Sequence, residues 1–284
     1  AMAQKKAILN EIQLFEVDGA HKKSLNSAYP LINETGVIGC MVLSIELNDR
    51  NTRKKKAGFI SQYNFDDIIT RNQMFISSFD NLRMIAKSSA NVLIHGETGT
   101  GKELIAHTKH ANSPRKNMPF IIQNCAAIPD ELMESILFGS VKGSFTGALD
   151  RAGLFEVADG GTLYLDEVNS LSPVLQGKLL RAIENNSIRR IGETKERIIN
   201  VRIISSSNEN LSQKAKTGLF RKDLFYRLNV TNYSIPALRE RIDDISLLCR
   251  HYINYYNQVL NHNIIDLDND VLSFFEKYPW EGNV

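Results

Sequence analysis

Seven residues, Gly96-Glu97-Thr98-Gly99-Thr100-Gly101-Lys102, constrain the fold of this chain more than any others. They follow a short apolar run, Asn91–His95, and open a helix-patterned stretch from Lys102 to about Ala111. Glycines at these spacings let backbone N–H groups turn inward around phosphate oxygens, and the helix N-terminus adds partial positive charge. The pattern is G-x-x-x-x-G-K, which places Lys102 to reach the β- and γ-phosphates of a nucleotide. A strand that hands over to a helix through such a loop predicts an α/β fold. The rest of the chain agrees. Phe120–Asn124, Thr162–Leu165 and Val201–Ser205 are apolar runs of buried-strand length, separated by helical stretches such as Phe75–Ser88 and Pro173–Glu184. Strands alternating with helices argue for a parallel sheet covered on both faces. After Pro236 the pattern turns helical, over Ile245–Leu260 and Asp268–Lys277, as suits a small α-helical lid.

A second motif completes the nucleotide chemistry. Gly160-Gly161-Thr162-Leu163-Tyr164-Leu165-Asp166-Glu167 is an apolar strand that ends in two acids. Two acids at a strand end are often only a solvated turn; with a phosphate loop before them they read as a Walker B pair. Asp166 then holds Mg²⁺ through water, and Glu167 polarises the attacking water. Glu103 stands where a Ser or Thr magnesium ligand is usual. The expected cofactors are ATP and Mg²⁺, bound by residues 96–103 together with Asp166.

Between the two motifs lies Gly143-Ser144-Phe145-Thr146-Gly147-Ala148. Taken alone it is a flexible loop tip. Bracketed by a nucleotide site, a bulky Phe on a Gly-flanked loop is a poor core element and a good tip for pushing on a partner. The hexapeptide resembles the GAFTGA loop of the bacterial enhancer-binding proteins, the AAA+ activators of sigma-54 RNA polymerase. The resemblance covers about residues 65–284 strongly and 4–47 weakly. Leu137-Phe138-Gly139, Arg189-Arg190-Ile191-Gly192 and Pro236-Ala237-Leu238-Arg239-Glu240-Arg241 also follow the family. Ser144 replaces the usual alanine and Ser140-Val141 replace the common His-Glu, while Phe145 and Thr146 are kept. Gly-Lys-Glu at the end of the phosphate loop is a trait of the same family.

That resemblance implies further roles. Asn124 matches the asparagine that holds the catalytic glutamate until the nucleotide state changes, and Asn208 matches the sensor I asparagine that reads the γ-phosphate. Arg221 and Arg227 match arginine fingers offered to a neighbouring subunit, in a ring that is a hexamer when active. A guanidinium suits that task because it stabilises charge on the transferred phosphoryl group; a lone exposed Arg otherwise serves only as a weak surface ion-pair partner. Residues 143–148 would contact the sigma-54 factor and RNA polymerase. DNA would be bound only through a C-terminal helix-turn-helix absent from this sequence. In the family the segment Tyr278–Val284 runs on into a sensor II arginine, beyond the last residue here, so impaired turnover is expected of this chain. Ser135-Ile136-Leu137-Phe138-Gly139 and Asn169-Ser170-Leu171 are most similar to arginine-utilisation regulators, which implies an arginine or ornithine signal. Two alternatives stay open: a metabolic P-loop kinase, and a scaffold that binds nucleotide without turnover.

The N-terminal residues read differently. Ala7–Val17, His21–Ile32 and Val37–Leu47 are strand-like runs separated by turn signals, a β-meander too small to bury much apolar surface alone. Asn26–Leu31 and Gly36–Ser44 resemble the last strands of a PAS sensor domain; a generic hairpin unit is the other reading. The expected division is 1–47 PAS-like, 48–63 linker with the basic run Arg53-Lys54-Lys55-Lys56, 64–237 ATPase subdomain and 238–284 lid. Net charge is +2, from 34 basic and 32 acidic residues, so no strong nucleic-acid field arises from this chain itself. No run approaches the ~20 apolar residues of a membrane span, and no signal peptide is visible. Cys40, Cys125 and Cys249 lack metal or disulfide spacing, which points to a reducing cytoplasm.

Overall fold

The computed structural model describes residue 61 and residues 63–126, 128–145 and 148–284, with the backbone of three strands nearer the N-terminus. The linker expected over 48–63 lies almost wholly outside the described residues, as do Thr146 and Gly147 of the loop. The chain forms two compact units. Residues 57–140 and 151–284 make the larger, and the smaller combines the N-terminal strands with residues 141–150.

In the smaller unit β1 (Ile8–Val17), β2 (Ala20–Asn33) and β3 (Gly36–Leu47) form an antiparallel sheet in chain order. These are the three strand runs expected from the sequence, each with ends within one residue.

The larger unit is built on a five-stranded parallel sheet. Its strands are β4 (Val92–His95), β5 (Phe120–Asn124), β6 (Thr162–Asp166), β7 (Arg202–Ser207) and β8 (Thr231–Ser234), in the spatial order β8-β4-β7-β6-β5. The strand that feeds the phosphate loop is therefore internal, and the central strand β7 separates it from the strand that carries the acids. The sequence pattern misses β8. It is a four-residue edge strand with Asn232 and Ser234 exposed, so no apolar run announces it.

Side chains alternate across the sheet, as strand geometry requires. Val92, Ile94, Phe120, Tyr164, Ile204 and Tyr233 face α1 (Gln73–Lys87) and α2 (Lys102–Ala111), packing with Phe75, Phe79, Leu82 and Ile105. Leu93, Ile121, Leu163, Leu165 and Ile203 face the other way, onto α3 (Asp130–Phe138), α4 (Pro173–Asn185) and α6 (Lys222–Leu228), with α5 (Leu211–Lys216) beside them. Each face buries its own apolar cluster, which is why the strands read as continuous apolar runs.

Local signals fix the helix starts. The Asn72 side chain accepts from Phe75 N at 3.0 Å, and Ser172 caps α4 with Pro173 in its first turn. Two further helices, α7 (Asp243–Leu260) and α8 (Asn269–Lys277), follow the sheet. Asp244 docks α7. Its fully buried carboxylate accepts from Thr70 Oγ1 and Arg71 N, both at 2.7 Å, and pairs with Arg241 at 3.6 Å. Removing that carboxylate would strand Arg241, itself buried, without a counter-charge.

Candidate nucleotide site

The loop between β4 and α2 bends where the sequence supplies glycine. Gly99 (φ 77°) and Gly101 (φ 97°) are both in the left-handed region, which costs glycine little. Gly101 is also the N-cap of α2 and offers no side chain to the first-turn amides. Those amides have no acceptor within the helix, so they and the helix dipole are free to meet an anion. Lys102 is buried, and its Nζ donates to Gly96 O at 3.0 Å and Glu97 O at 2.9 Å. Burial lowers the Lys102 pKa, and the nearby Asp166 and Glu167 carboxylates act in the opposite sense. A cavity of about 510 Å³ lies elsewhere, between α3 and α4. The larger cavity, about 720 Å³, opens beside the loop, between Ile68 and Ile69 on one side and Leu248 and Tyr252 of α7 on the other.

The acids sit two strands away from the loop strand. Asp166 ends β6 and is held from three sides. Its Oδ1 accepts from Tyr164 OH at 2.9 Å and from Ser206 Oγ, and its Oδ2 accepts from Asn124 Nδ2 at 3.3 Å. The register explains the last contact, because Asn124 pairs directly with Asp166 across β5 and β6. Asn124 thus reaches the aspartate next to the glutamate with which the resemblance pairs it. Its own Oδ1 accepts from Ala126 N at 2.8 Å. Glu167 has left-handed backbone (φ 53°, ψ 48°), rare for a residue with a Cβ, and its N–H donates to Ser206 Oγ at 3.2 Å. Strain of that kind persists only where surrounding contacts hold it, and it gathers at functional sites. Asn208, just past β7, donates to Thr98 Oγ1 at 3.3 Å; its Oδ1 is buried with no partner.

Other expected residues stand apart from this cluster. Arg221 is the N-cap of α6 and pairs with Asp223 at 2.7 Å; Arg227, in the last turn of α6, pairs with Glu184 at 3.1 Å. Both are exposed, and no described contact joins either to residues 96–103. The 143–148 loop leaves a two-residue antiparallel stem, Gly139–Ser140 against Arg151–Ala152. Within it Gly143 is left-handed (φ 84°), Ala148 N donates to Phe145 O at 2.9 Å, and Phe145 is 47% exposed. Cys125, beside Asp166, is buried; burial and the two acids push its thiol up to about 12, so it stays protonated and inert.

Several residues at the site were not singled out from the sequence. Tyr164 is one with a readable signal, since it lies two positions before Asp166 on the same strand face. Ser206 and Asn283 carry none, because only tertiary structure brings them near.

The residues present fit a nucleoside triphosphate with Mg²⁺. The loop offers the uncapped first-turn amides of α2 and one lysine, and Asn208 Oδ1 needs a partner. Among the described residues no group of three or more His, Cys, Asp or Glu could hold a metal alone. Mg²⁺ at nucleotide sites takes most of its ligands from phosphate and water, so one or two carboxylates suffice. Fold and site together define a P-loop nucleoside triphosphatase of the AAA+ class.

Comparison with known proteins narrows the class. The family model for the sigma-54 interaction domain matches residues 68–234, and that for the AAA+ ATPase lid domain matches 239–284. The chain belongs to the sigma-54 interaction domain family. It is similar to the transcriptional activator RocR of Bacillus subtilis (strain 168), 43% identical over the whole of this chain and 62% of that protein. It is also similar to the regulatory protein AtoC of Escherichia coli (strain K12), 41% identical over 89% of this chain and 55% of that one. Among solved structures, NtrX from Brucella abortus in complex with ATP aligns with a TM-score of 0.72 at 33% identity, over 76% of this chain and 49% of that one. The chain thus spans about half to three-fifths of these relatives. No helix among the described residues is long and apolar enough to cross a membrane.

Proposed function

We propose that this chain is the ATP-driven engine of a sigma-54-dependent transcriptional activator. The observation that carries the reading is one arrangement: a glycine phosphate loop with buried Lys102 facing Asp166 and Glu167, in a chain that also presents Phe145 exposed on a glycine loop. ATP lies with its phosphates on the amides of residues 99–103 and its base in the cavity between Ile68 and Leu248. Lys102 neutralises phosphate charge. Asp166, oriented by Tyr164, Ser206 and Asn124, would hold Mg²⁺, which would supply neutralisation of phosphate charge. Glu167 takes the proton of the attacking water. Asn208 reads the γ-phosphate.

Arg221 and Arg227 act on the site of a neighbouring copy, in a homo-oligomeric ring that is hexameric when active. Their exposure, and their pairing only with Asp223 and Glu184 among the described contacts, support that role. Coupling from the γ-phosphate through Asn208, Glu167 and Asn124 moves the Phe145 loop, a two-state element biased by nucleotide. The raised loop grips sigma-54 factor and remodels the closed RNA polymerase complex in the cytoplasm. DNA binding belongs to a helix-turn-helix outside this sequence. The three N-terminal strands close a PAS-like sensor domain whose ligand is arginine or ornithine, with amino-acid catabolism genes as the targets.

Trapping tests this reading. A version extended past Val284, mixed with sigma-54 and an ATP transition-state mimic, should form a stable complex that Phe145→Ala abolishes while ATP turnover persists. A complex that forms equally with Phe145→Ala rejects the loop's role. Specific activity that does not depend on protein concentration would favour the kinase reading instead.

A further inference from the structure

The amides of a phosphate loop turn inward, so its carbonyls turn outward and must find donors elsewhere. Lys102 Nζ holds the carbonyls of Gly96 and Glu97, and the next three find their donors in one place. Asn283 Nδ2 donates to Thr98 O at 2.9 Å, Val284 N to Gly99 O at 3.2 Å and Arg241 Nη2 to Thr100 O at 3.3 Å. The Glu97 side chain joins them. Arg239 forks onto its carboxylate, with Nη1 to Oε2 at 2.8 Å, and Asn283 Nδ2 reaches the same oxygen at 3.3 Å. The pair with Arg239 is the main cause that lowers the Glu97 carboxyl to about 2. Four consecutive loop residues are thus held by residues 239–284, with Asn208 adding a bond to the Thr98 hydroxyl.

Asn283 is the centre of this clasp. It is 4% exposed, and its Oδ1 accepts from Leu238 N at 2.8 Å, so one side chain links both ends of the helical segment to the loop. The backbone around it is strained. Trp280 (φ 48°) and Asn283 (φ 61°) are both left-handed, and Asn283 N closes a turn onto Trp280 O at 2.8 Å. A bulky residue such as Trp takes that conformation only when its surroundings impose it. The fit is close: a Cβ on Gly99 would stand 2.0 Å from Gly282 O. Glycine at position 99 is therefore required by segment 280–284 as well as by phosphate.

We infer that Asn283 is a positioning residue for nucleotide binding: through it, residues 238–284 set the conformation of the phosphate loop, and bound nucleoside triphosphate in turn fixes segment 280–284. This rests on the ATP-binding reading above. The coupling is reciprocal, because any contact that favours the binding conformation is itself favoured by the ligand.

Two measurements on the chain of residues 1–284 test it. The first is titration with a fluorescent ATP analogue. Asn283→Ala should weaken binding about tenfold, the scale of one or two buried hydrogen bonds. Asn283→Asp should weaken it further, since it sets a second carboxylate against Glu97; adding Glu97→Gln should recover part of that loss. A purely structural role would move the melting temperature without this charge-specific recovery. Unchanged affinity in Asn283→Ala, or no recovery in the double variant, overturns the inference. The second measurement is amide hydrogen exchange over residues 96–104 without nucleotide. Asn283→Ala should speed it at least several-fold while exchange in β6 stays unchanged; equal rates in the loop overturn the inference. If the unaltered chain fails to bind the analogue while loop exchange responds as stated, the ATP reading fails and the clasp stands without its functional consequence.

Discussion

Helix α2 buries a lysine near each end, and the two ends solve the problem differently. Lys102 opens the helix and Lys109 lies seven residues on; they are 7% and 0% exposed. Burial lowers the pKa of both. At Lys102 that effect is opposed by Asp166 and Glu167, and Nζ is hydrogen-bonded. At Lys109 the neighbouring charge is Arg202, another buried cation, and the pKa falls to about 6. Its Nζ has no hydrogen-bond partner, and burial lowers the pKa of adjacent His110 to about 4. A buried ammonium persists where acids face it and discharges where they do not. The first end is built for charge, as a phosphate site requires. At the second, Lys109 and His110 rest neutral beside a charged Arg202.

Chemistry at the first end should give the largest effects. Glu167→Gln should slow ATP turnover about a thousandfold, the scale of a lost general base, with nucleotide still bound. Turnover assays on an extended, ring-forming version check this; an active Glu167→Gln would move the base elsewhere. Lys102→Ala should weaken binding of an ATP analogue about a hundredfold, the scale of two charge-assisted hydrogen bonds, with little change in stability. If stability collapses while affinity holds, Lys102 is a structural lysine like its neighbour and the contrast between the ends disappears.

The contrast was only half legible in the sequence. The strand–loop–helix spacing placed Lys102, and the acid pair placed Asp166 and Glu167, because those motifs are local. The sheet's core strands and most helix ends followed from apolar runs and caps such as Ser172-Pro173. Lys109 offered no such signal: its burial depends on how α1, α2 and the sheet pack, which a window of sequence does not contain. Asn283 is alike, 185 residues from the carbonyl it holds. Arg221 and Arg227 are the reverse case. Their motif was readable, yet the structure leaves both on the surface, paired with Asp223 and Glu184.

Lys109→Met should therefore stabilise the protein, by about 1–3 kcal/mol at pH 7, because it replaces an unpaired buried amine with an apolar isostere. Affinity for the ATP analogue should not change. A loss of stability would mean that the amine has a partner and the second end is not at rest.

The smallest effect per step is the pH slope, and it separates the two lysines most cleanly. A lysine with a folded pKa of about 6 and an unfolded value near 10.5 binds fewer protons when folded throughout that interval. Stability must then rise with pH across it, by up to about 1.4 kcal/mol per unit. Other groups bound the useful window. His110, lowered from 6.5 to about 4, adds a rise of the same sign below pH 6.5. Cys125, raised from 9.0 to about 12, gives a fall above pH 9. Between pH 6.5 and 8.5 His110 and Cys125 add little, and the lowered Lys102 adds a rise of the same sign, so the Lys109 share is the difference in urea midpoints between variants. The unaltered chain should gain stability over those two units, and Lys109→Met should gain less. Lys102→Ala should keep a slope of the same sign, since Lys109 still discharges on folding. Equal slopes in the chain with and without Lys109 would show that its ammonium stays charged, and the two ends of α2 would then be alike.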